Sequence, residues 1–154
     1  MAANHERPTI FALSNPTARA ECTAQQAYEW SDGRAIFASG SPFAPVDYKG
    51  STFVPGQGNN AYIFPGLGLG AVAVGITTLP AELFLTAAKS LADQVEESQL
   101  AQGTLYPQLG DIREVSLSIA VAVAEDTYAR ELASVPRPTD LRAHIAGLMF
   151  EPTY

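Results

Sequence analysis

The sequence predicts an α/β fold, in which the end of an open, doubly wound parallel sheet is followed by several helices. Two short apolar runs, residues 9–13 and 35–38, have the length and β-former content of buried parallel strands. A helix-start signal lies between them, and strand, helix and strand at this spacing indicate a right-handed βαβ crossover. From about residue 59 onward the apolar spacing is that of helices.

The first strand, TIFAL, ends in a polar turn that begins with Ser14, Asn15 and Pro16. A helix is expected from Thr23, whose hydroxyl can form a capping box with Gln26, to about Trp30. The second strand, AIFA, also runs into a polar turn, Ser39-Gly40-Ser41-Pro42. Both strands therefore end in groups that can form hydrogen bonds.

A long loop is expected over residues 40–58, because this stretch holds three prolines and has no periodic pattern. The remainder is expected to be helical. The predicted helices are an apolar one over 62–77, one with Pro80 in its first turn, a short one over 98–102, one capped by Asp111 and ending before Pro136, and a last one over 139–149.

Two strands alone leave both edges of a parallel sheet open and do not form a stable sheet. The chain is therefore expected to be one portion, 1–154, of a larger domain whose other strands lie upstream of Met1. Within it, residues 1–58 form the strand-helix-strand-loop part and residues 59–154 the helical part. A charged fraction of 16% is low and agrees with a surface that is partly covered by other protein.

The charge balance argues against nucleic acid as a partner. The formal net charge is -7, and lysines and arginines do not cluster, so a polyanion would be repelled.

The single cysteine, Cys22, excludes an intramolecular disulfide and fits a reducing compartment. Residues 1–10 do not resemble a signal peptide. A cytoplasmic location is expected, with an organellar matrix or stroma left open.

Residues 61–79 are long and apolar enough to cross a bilayer and contain a G-x-x-x-G between Gly66 and Gly70. However, this run holds four glycines and Pro65, and it lacks basic flanks that would set a topology. A helix buried on all sides within a globular protein is the better interpretation. We therefore expect no membrane partner.

Ligands of open α/β sheets bind outside the carboxyl ends of the strands, where Ser14, Asn15 and the Ser39–Ser41 turn are expected. Asn15 precedes a proline, which restricts its backbone, and its amide offers both an acceptor and donors. A plain Asn-Pro turn is an equally weighted alternative. Asn59 and Asn60 are expected to open the apolar helix, whose N-terminus would suit a carboxylate or phosphate. A plain N-cap explains one asparagine there but not two in succession.

Other patterns carry no chemistry. The glycines at 66, 68 and 70 do not have the spacing of a dinucleotide fingerprint and lie inside a predicted helix, so close helix packing is expected there. The histidines and Cys22 are isolated in sequence, and neither a general base nor a metal-ligand cluster is recognisable.

Several motifs together resemble malic enzymes. They are RPTIFALSNPT at 7–17, AECTA at 20–24, FASGSPF at 37–43 and PGQGNNAYIFPG at 55–66. The resemblance continues through 83–88, 106–107 and 112–116, so it covers nearly the whole chain, and divergence is greatest over 134–154. It implies the C-terminal portion of a Rossmann-like NAD(P)-binding domain.

The resemblance also implies an activity, the oxidative decarboxylation of malate to pyruvate and CO2 with reduction of NAD or NADP. A divalent metal, Mg2+ or Mn2+, assists by polarising the carbonyl of the oxaloacetate formed. The expected partners are malate and pyruvate, the remainder of the malic enzyme chain and, when the enzyme is complete, further copies of itself in a homo-oligomer.

By the same resemblance, Asn15 contacts both the nicotinamide and malate, Ser14 and Asn60 contribute to the cofactor site, and Asn59 contacts malate. The family's tyrosine acid, lysine base, malate-binding arginine, acidic metal ligands and glycine-rich turn belong upstream. No catalytic residue and no metal ligand is therefore expected in this chain, which alone should be inactive. The alternatives are a non-catalytic fragment or regulatory partner with the same fold and, more remotely, a small membrane-associated helical protein.

Overall fold

The structure, a computed structural model, describes residues 1–151 and has the α/β architecture that the sequence predicts. The chain folds into two compact units, each described here by itself. The first unit comprises Met1–Asn59 and Val95–Tyr106, and the second comprises Asn60–Gln94 and the chain from Pro107 onward.

The strands are β1 (Thr9–Ala12), β2 (Ile36–Ser39), β3 (Val46–Tyr48), β4 (Ser51–Phe53) and β5 (Gly56–Gln57), all in the first unit. The helices are α1 (Ala24–Trp30), α2 (Phe64–Ala73), α3 (Ala81–Ala92), α4 (Glu97–Ala101), α5 (Ile112–Ala129) and α6 (Leu141–Gly147). Short 3-10 turns cover Thr17–Arg19, Asn60–Tyr62 and Leu109–Asp111.

The main sheet of the first unit is parallel and has the strand order β1-β2-β5. The expected β1-α1-β2 crossover is confirmed, but the prediction of two strands is wrong, because β5 pairs with the far edge of β2. β5 has only two residues, Gly56 and Gln57, which carry no strand pattern. Its pairing depends on β2 as a template and is not encoded in the local sequence.

The predicted loop over 40–58 is likewise partly wrong, since it also contains the antiparallel hairpin β3–β4. Residues 48–51 make the tight turn, and Lys49 forms an ion pair with Asp32. The Phe53 ring stacks on Tyr28 of α1 with 4.5 Å between centroids. This long-range aromatic contact, which periodicity does not reveal, orders the segment.

Helix α1 covers one side of the main sheet and begins as the sequence predicts. The Thr23 hydroxyl accepts from the Gln26 backbone N–H, and the Gln26 side chain accepts from the Thr23 N–H, which completes the capping box. Three α1 residues, Ala24, Ala27 and Tyr28, are buried in a cluster with Ala12, Ala35 and Phe37. This cluster is the core of the first unit.

In the second unit, α2, α3 and α6 pack against α5. α2 is shorter than the predicted 62–77, and the expectation of burial on all sides is wrong: Phe64 is 74% exposed and Val72 is 77% exposed. Its other face buries Leu67 and Ala71. Within residues 1–151, no helix has the length and hydropathy needed to cross a membrane.

The remaining helix limits differ slightly from the predicted ones. Asp111 stands at the N-cap position of α5, but its side chain makes no capping hydrogen bond. α5 ends at Ala129, well before Pro136, and Glu131 then adopts a left-handed backbone (φ 59°). α6 is capped by Asp140, whose carboxylate accepts from the Ala143 N–H at 2.9 Å.

Candidate functional site

The predicted polar turns leave the main sheet at one edge. Ala12 of β1 is level with Ser39 of β2, and Ser39 is level with Gln57 of β5. Because the three strands are parallel, the residues that follow them emerge side by side at their carboxyl ends. Asn15 and Asn59 are three and two residues beyond this row. Convergence of their amides on one ligand stays a prediction.

The ends of β1, β2 and β5 are tied together by backbone hydrogen bonds. The Gly40 N–H donates to the Ala12 carbonyl at 3.0 Å, and the Gly58 N–H donates to the Ser39 carbonyl at 2.8 Å. The backbones are unusually close at Gly40: a Cβ there would lie 2.3 Å from the Leu13 carbonyl oxygen. A side chain at position 40 would therefore push the end of β1 away.

Asn15 is exposed at this edge, and its amide is held by the neighbouring strand. The Ser41 hydroxyl donates to Asn15 Oδ1. The position of a Cβ on Gly40 would be 3.0 Å from Asn15 Nδ2, so the amide lies over the Gly40 backbone. The Asn15–Pro16 peptide bond is cis.

The Ser39-Gly40-Ser41 turn is itself braced from the interior. The fully buried Ser39 hydroxyl donates to the Ser41 carbonyl at 2.8 Å. On the other side, Gln57 Nε2 of β5 donates to the Gly40 carbonyl at 3.2 Å. The first bond closes the turn on itself and the second ties it to the end of β5, so the turn that carries Ser41 is held from two sides.

Ser14, a predicted cofactor residue, is engaged by a carboxylate. Its hydroxyl donates to Glu21 Oε1 at 2.6 Å, and its backbone N–H lies 3.3 Å from Glu21 Oε2. The hydrogen bond from the Ser14 hydroxyl is the main cause that lowers the pKa of Glu21, and hydrogen bonds from backbone N–H groups lower it further. The Ser14 proton is thus directed at Glu21, which leaves the hydroxyl oxygen as the group that a ligand can meet.

The prediction that Asn59 and Asn60 open the apolar helix is wrong in detail. A 3-10 turn, Asn60–Tyr62, comes first, and α2 begins only at Phe64 with no side-chain cap. The reason is Pro65, which lacks an N–H and is tolerated in the first helical turn but not deeper. A helix starting at Asn60 would place this proline in its interior. Both asparagines are exposed.

The chemistry of this edge is that of neutral amides and hydroxyls, with Glu21 as its one carboxylate among the residues described above. Such groups orient a ligand through hydrogen bonds and do not titrate near neutral pH. Within residues 1–151, no three His, Cys, Asp or Glu side chains are grouped as a metal would require. The edge is therefore suited to binding and positioning.

A cavity of about 460 Å³ in the first unit has a largely apolar lining that includes Ile10, Cys22 and Trp30, and Glu21 also borders it. Cys22 is half-buried there, and burial raises the pKa of its thiol. Since the polar strand ends are not part of this lining, we do not assign the candidate site to this cavity.

Gly40, Ser41 and Gln57 received no role of their own from the sequence, although the Ser39–Ser41 turn was expected at the ligand edge. The S-G-S turn directly after a strand was a usable signal, because a glycine between two hydroxyls at a strand end indicates close approach of two backbones. Gln57 gave no such signal, since β5 was not predicted.

Comparison with known proteins identifies relatives over the whole chain. Residues 1–128 match the family model of the malic enzyme NAD-binding domain. The chain is 54% identical over 154 residues to an NADP-dependent malic enzyme of Dictyostelium discoideum, over 100% of this chain and 28% of the relative. It is 54% identical over 156 residues to the mitochondrial NADP-dependent malic enzyme of Homo sapiens, again over its full length and 26% of the relative.

A chloroplastic NADP-dependent malic enzyme of Zea mays is 53% identical over 155 residues, which is 100% of this chain and 24% of that protein. The chain thus spans about a quarter of the length of the curated relatives it matches, between 24% and 28%.

Proposed function

We propose that this chain, which belongs to the malic enzyme family and matches its NAD-binding domain over residues 1–128, forms the cofactor- and malate-facing wall of a malic enzyme active site. The observation that carries the proposal is the single carboxyl edge shared by β1, β2 and β5, from which Asn15 and Asn59 both emerge. Open α/β sheets bind their ligands at this edge. The family motifs LSNP and GQGNN coincide with it.

In this proposal Asn15 bonds both the nicotinamide and malate, and Asn59 bonds malate. Ser14 and Asn60 contribute to the cofactor site. For Ser14 the contribution is as an acceptor, because its proton is directed at Glu21. Uncharged amides suit this work, since they orient an anionic substrate without becoming charged themselves at neutral pH.

NADP is proposed as the cofactor because the relatives reported above are named NADP-dependent. When bound, it accepts the hydride of malate, and Mg2+ or Mn2+ supplies a Lewis acid for the decarboxylation. The donor set of the described residues suits the nicotinamide and malate. It does not suit a metal, which we place on residues of the remaining enzyme.

The proposed partners are malate, pyruvate, the rest of the malic enzyme chain and further copies of the complete enzyme. The cytoplasmic location stays a prediction, and two of the relatives carry mitochondrial and chloroplastic names. Fractionation of cells, with immunodetection of the native protein, tests the compartment directly.

The function is tested with the complete enzyme that contains this chain. It should form pyruvate and reduce NADP+ when malate and Mg2+ or Mn2+ are supplied, whereas the 154-residue chain alone should not. Turnover by the chain alone would show that it already holds the base and the metal ligands. A complete protein that binds NADP+ but never turns over malate would favour the non-catalytic alternative.

The asparagines are tested in the same enzyme. Asn15→Ala and Asn59→Ala should each remove one or two hydrogen bonds to a charged ligand, worth about 1.5–3 kcal/mol each in kcat/KM for malate. Asn4→Ala, which removes an exposed amide outside the sheet edge, is the matched control and should change nothing. Unchanged malate kinetics in either site variant would refute its assignment.

A further inference from the structure

We propose that Ser41 is a positioning residue for Asn15, and that it makes the Asn15 amide a donor toward the ligand. The inference rests on the proposed function and deepens it, because it specifies which atom of Asn15 meets the ligand and what that ligand atom must be. The observation is the hydrogen bond from the Ser41 hydroxyl to Asn15 Oδ1.

An asparagine amide can present either its oxygen, an acceptor, or its nitrogen, a donor of two hydrogens. In this structure the oxygen is held by Ser41 on the neighbouring strand end. The hydroxyl of Ser41 is aimed by its backbone, which is fixed through the buried Ser39 hydroxyl at 2.8 Å. The oxygen is therefore occupied by a braced donor, and Nδ2 is left for the ligand.

The nitrogen end of the Asn15 amide lies over the Gly40 backbone. A Cβ at position 40 would be only 3.0 Å from Asn15 Nδ2. The absence of a side chain at Gly40 therefore leaves room for the amide in the orientation that the Ser41 hydrogen bond gives it.

The consequence concerns ligand chemistry. A donor at Asn15 recognises an acceptor oxygen, either the carboxamide oxygen of a nicotinamide or a hydroxyl or carboxylate oxygen of malate. It does not recognise an N–H group. Ser41 touches neither ligand in this account, so its effect must pass through Asn15.

The first test is a double-mutant cycle in the complete enzyme. Ser41→Ala should reduce binding in the same parameter as Asn15→Ala, by roughly two- to twelvefold for one hydrogen bond. Ser41→Thr, which keeps the hydroxyl, should restore most of the loss. In an Asn15→Ala background, Ser41→Ala should have no further effect. Ser51→Ala, an exposed serine of β4, is the matched control.

The cycle has two readouts, the Kd for NADP+ without malate and the KM and kcat for malate. A change in Kd assigns the acceptor to the nicotinamide, and a change in malate KM alone assigns it to malate; either supports the proposal. Additive effects of Ser41→Ala and Asn15→Ala would overturn it. So would an unaltered Ser41→Ala enzyme, or a loss that Ser41→Thr does not rescue.

The variant Asn15→Asp tests, with Ser41 intact, whether Asn15 acts as a hydrogen-bond donor toward the ligand. The carboxylate still accepts from Ser41 but replaces the Nδ2 donor by an anionic oxygen, so binding should fall by more than in Ser41→Ala. An Asn15→Asp enzyme that binds as tightly as the wild type would refute the donor assignment. If the wild-type enzyme shows no malate-dependent NADP+ reduction, the proposed function fails, and the Kd for NADP+ still tests Ser41.

Discussion

Gly66 of α2 lies so close to Ile119 of α5 that a Cβ at position 66 would be 2.7 Å from the Ile119 Cβ. One helical turn later, a Cβ at Gly70 would lie 2.7 Å from the Ala120 carbonyl oxygen. A Cβ at Gly68, between them, would meet nothing within 4 Å. The G-x-x-x-G pair therefore serves close packing of two helices in the second unit, as expected from the sequence, and the middle glycine does not.

We predict that Gly66→Ala and Gly70→Ala each destabilise the protein by about 1–3 kcal/mol, because the added methyl forces α2 away from α5. Gly68→Ala is the matched control and should be neutral or stabilising by up to about 1 kcal/mol, since alanine is the better helix former. Thermal unfolding of the three variants measures this. Equal Tm values for positions 66 and 68 would contradict the packing account.

The second prediction concerns acid stability. The Asp126 carboxylate on α5 accepts from the Thr86 hydroxyl of α3 at 2.7 Å and from Arg130 Nε at 2.8 Å. Both bonds lower the pKa of Asp126 below its usual range, and the bond from Thr86 has the larger effect. A depressed folded-state pKa stabilises the protein above the unfolded pKa, and this stability is lost as the pH falls through the folded value.

Thr86→Val should therefore lower the free energy of unfolding by about 1 kcal/mol at neutral pH, and the difference from wild type should shrink as Asp126 becomes protonated. Thr86→Ser, which keeps the hydroxyl, is the control. Denaturant unfolding from pH 7 down to strongly acidic pH measures the difference. A deficit that is independent of pH would mean that Thr86 acts through packing and not through the carboxylate.

The third prediction is that Gly40→Ala impairs ligand binding more than folding. Its methyl would collide with the Leu13 carbonyl oxygen and displace the turn that carries Asn15. In the complete enzyme, Kd for NADP+ or KM for malate should rise by an amount equivalent to about 1.5–3 kcal/mol. Gly110→Ala, where a Cβ would meet nothing within 4 Å, is the control. Normal ligand binding by Gly40→Ala would show that the strand ends adapt.

The fourth prediction concerns the α1–β2 connection. The buried Ser31 hydroxyl donates to the Ala27 carbonyl at 2.7 Å and accepts from the Ala35 N–H at 3.0 Å. Ser31→Ala leaves the buried Ala35 N–H without this partner, which should cost about 1–3 kcal/mol of stability. Ser51→Ala, on the exposed hairpin, should be neutral. Urea unfolding of both variants provides the comparison, and equal midpoints would contradict the assigned role.

Parts of the fold that depend on neighbouring residues were predictable from the sequence. The capping box needs only Thr23 and Gln26, three residues apart, and the structure has it as expected. The β1-α1-β2 crossover follows from two apolar runs and a helix signal between them. The polar strand end at Asn15 follows from the same order, because ligand-facing turns lie at the carboxyl ends of parallel strands. Asn59 was expected at a helix N-terminus, and its place after a strand was not predicted.

Other features were not predicted, one because a local rule was missed and others because they depend on contacts between residues far apart in sequence. Pro65 forces a 3-10 turn before α2, and this local rule was missed when Asn59 and Asn60 were taken to open the helix. The hairpin β3–β4 depends on Phe53 stacking against Tyr28, which lies 25 residues earlier in the sequence, and this contact leaves no periodic signal. The exposed face of α2 was expected to be buried because this helix carries apolar residues on all of its faces.

The sequence by itself determined the α/β class, the parallel pairing of β1 with β2, the family, and the asparagines offered for binding. Only the tertiary structure decided that β5 pairs with β2, that the Ser41 hydroxyl meets the Asn15 amide, and that the Asn15 amide lies close to Gly40. The physical reason is the distance in sequence between the residues that interact. Caps and periodicity arise from residues within a few positions of each other, whereas a strand partner or a hydroxyl 26 residues away acts only once folding has brought the strand ends together.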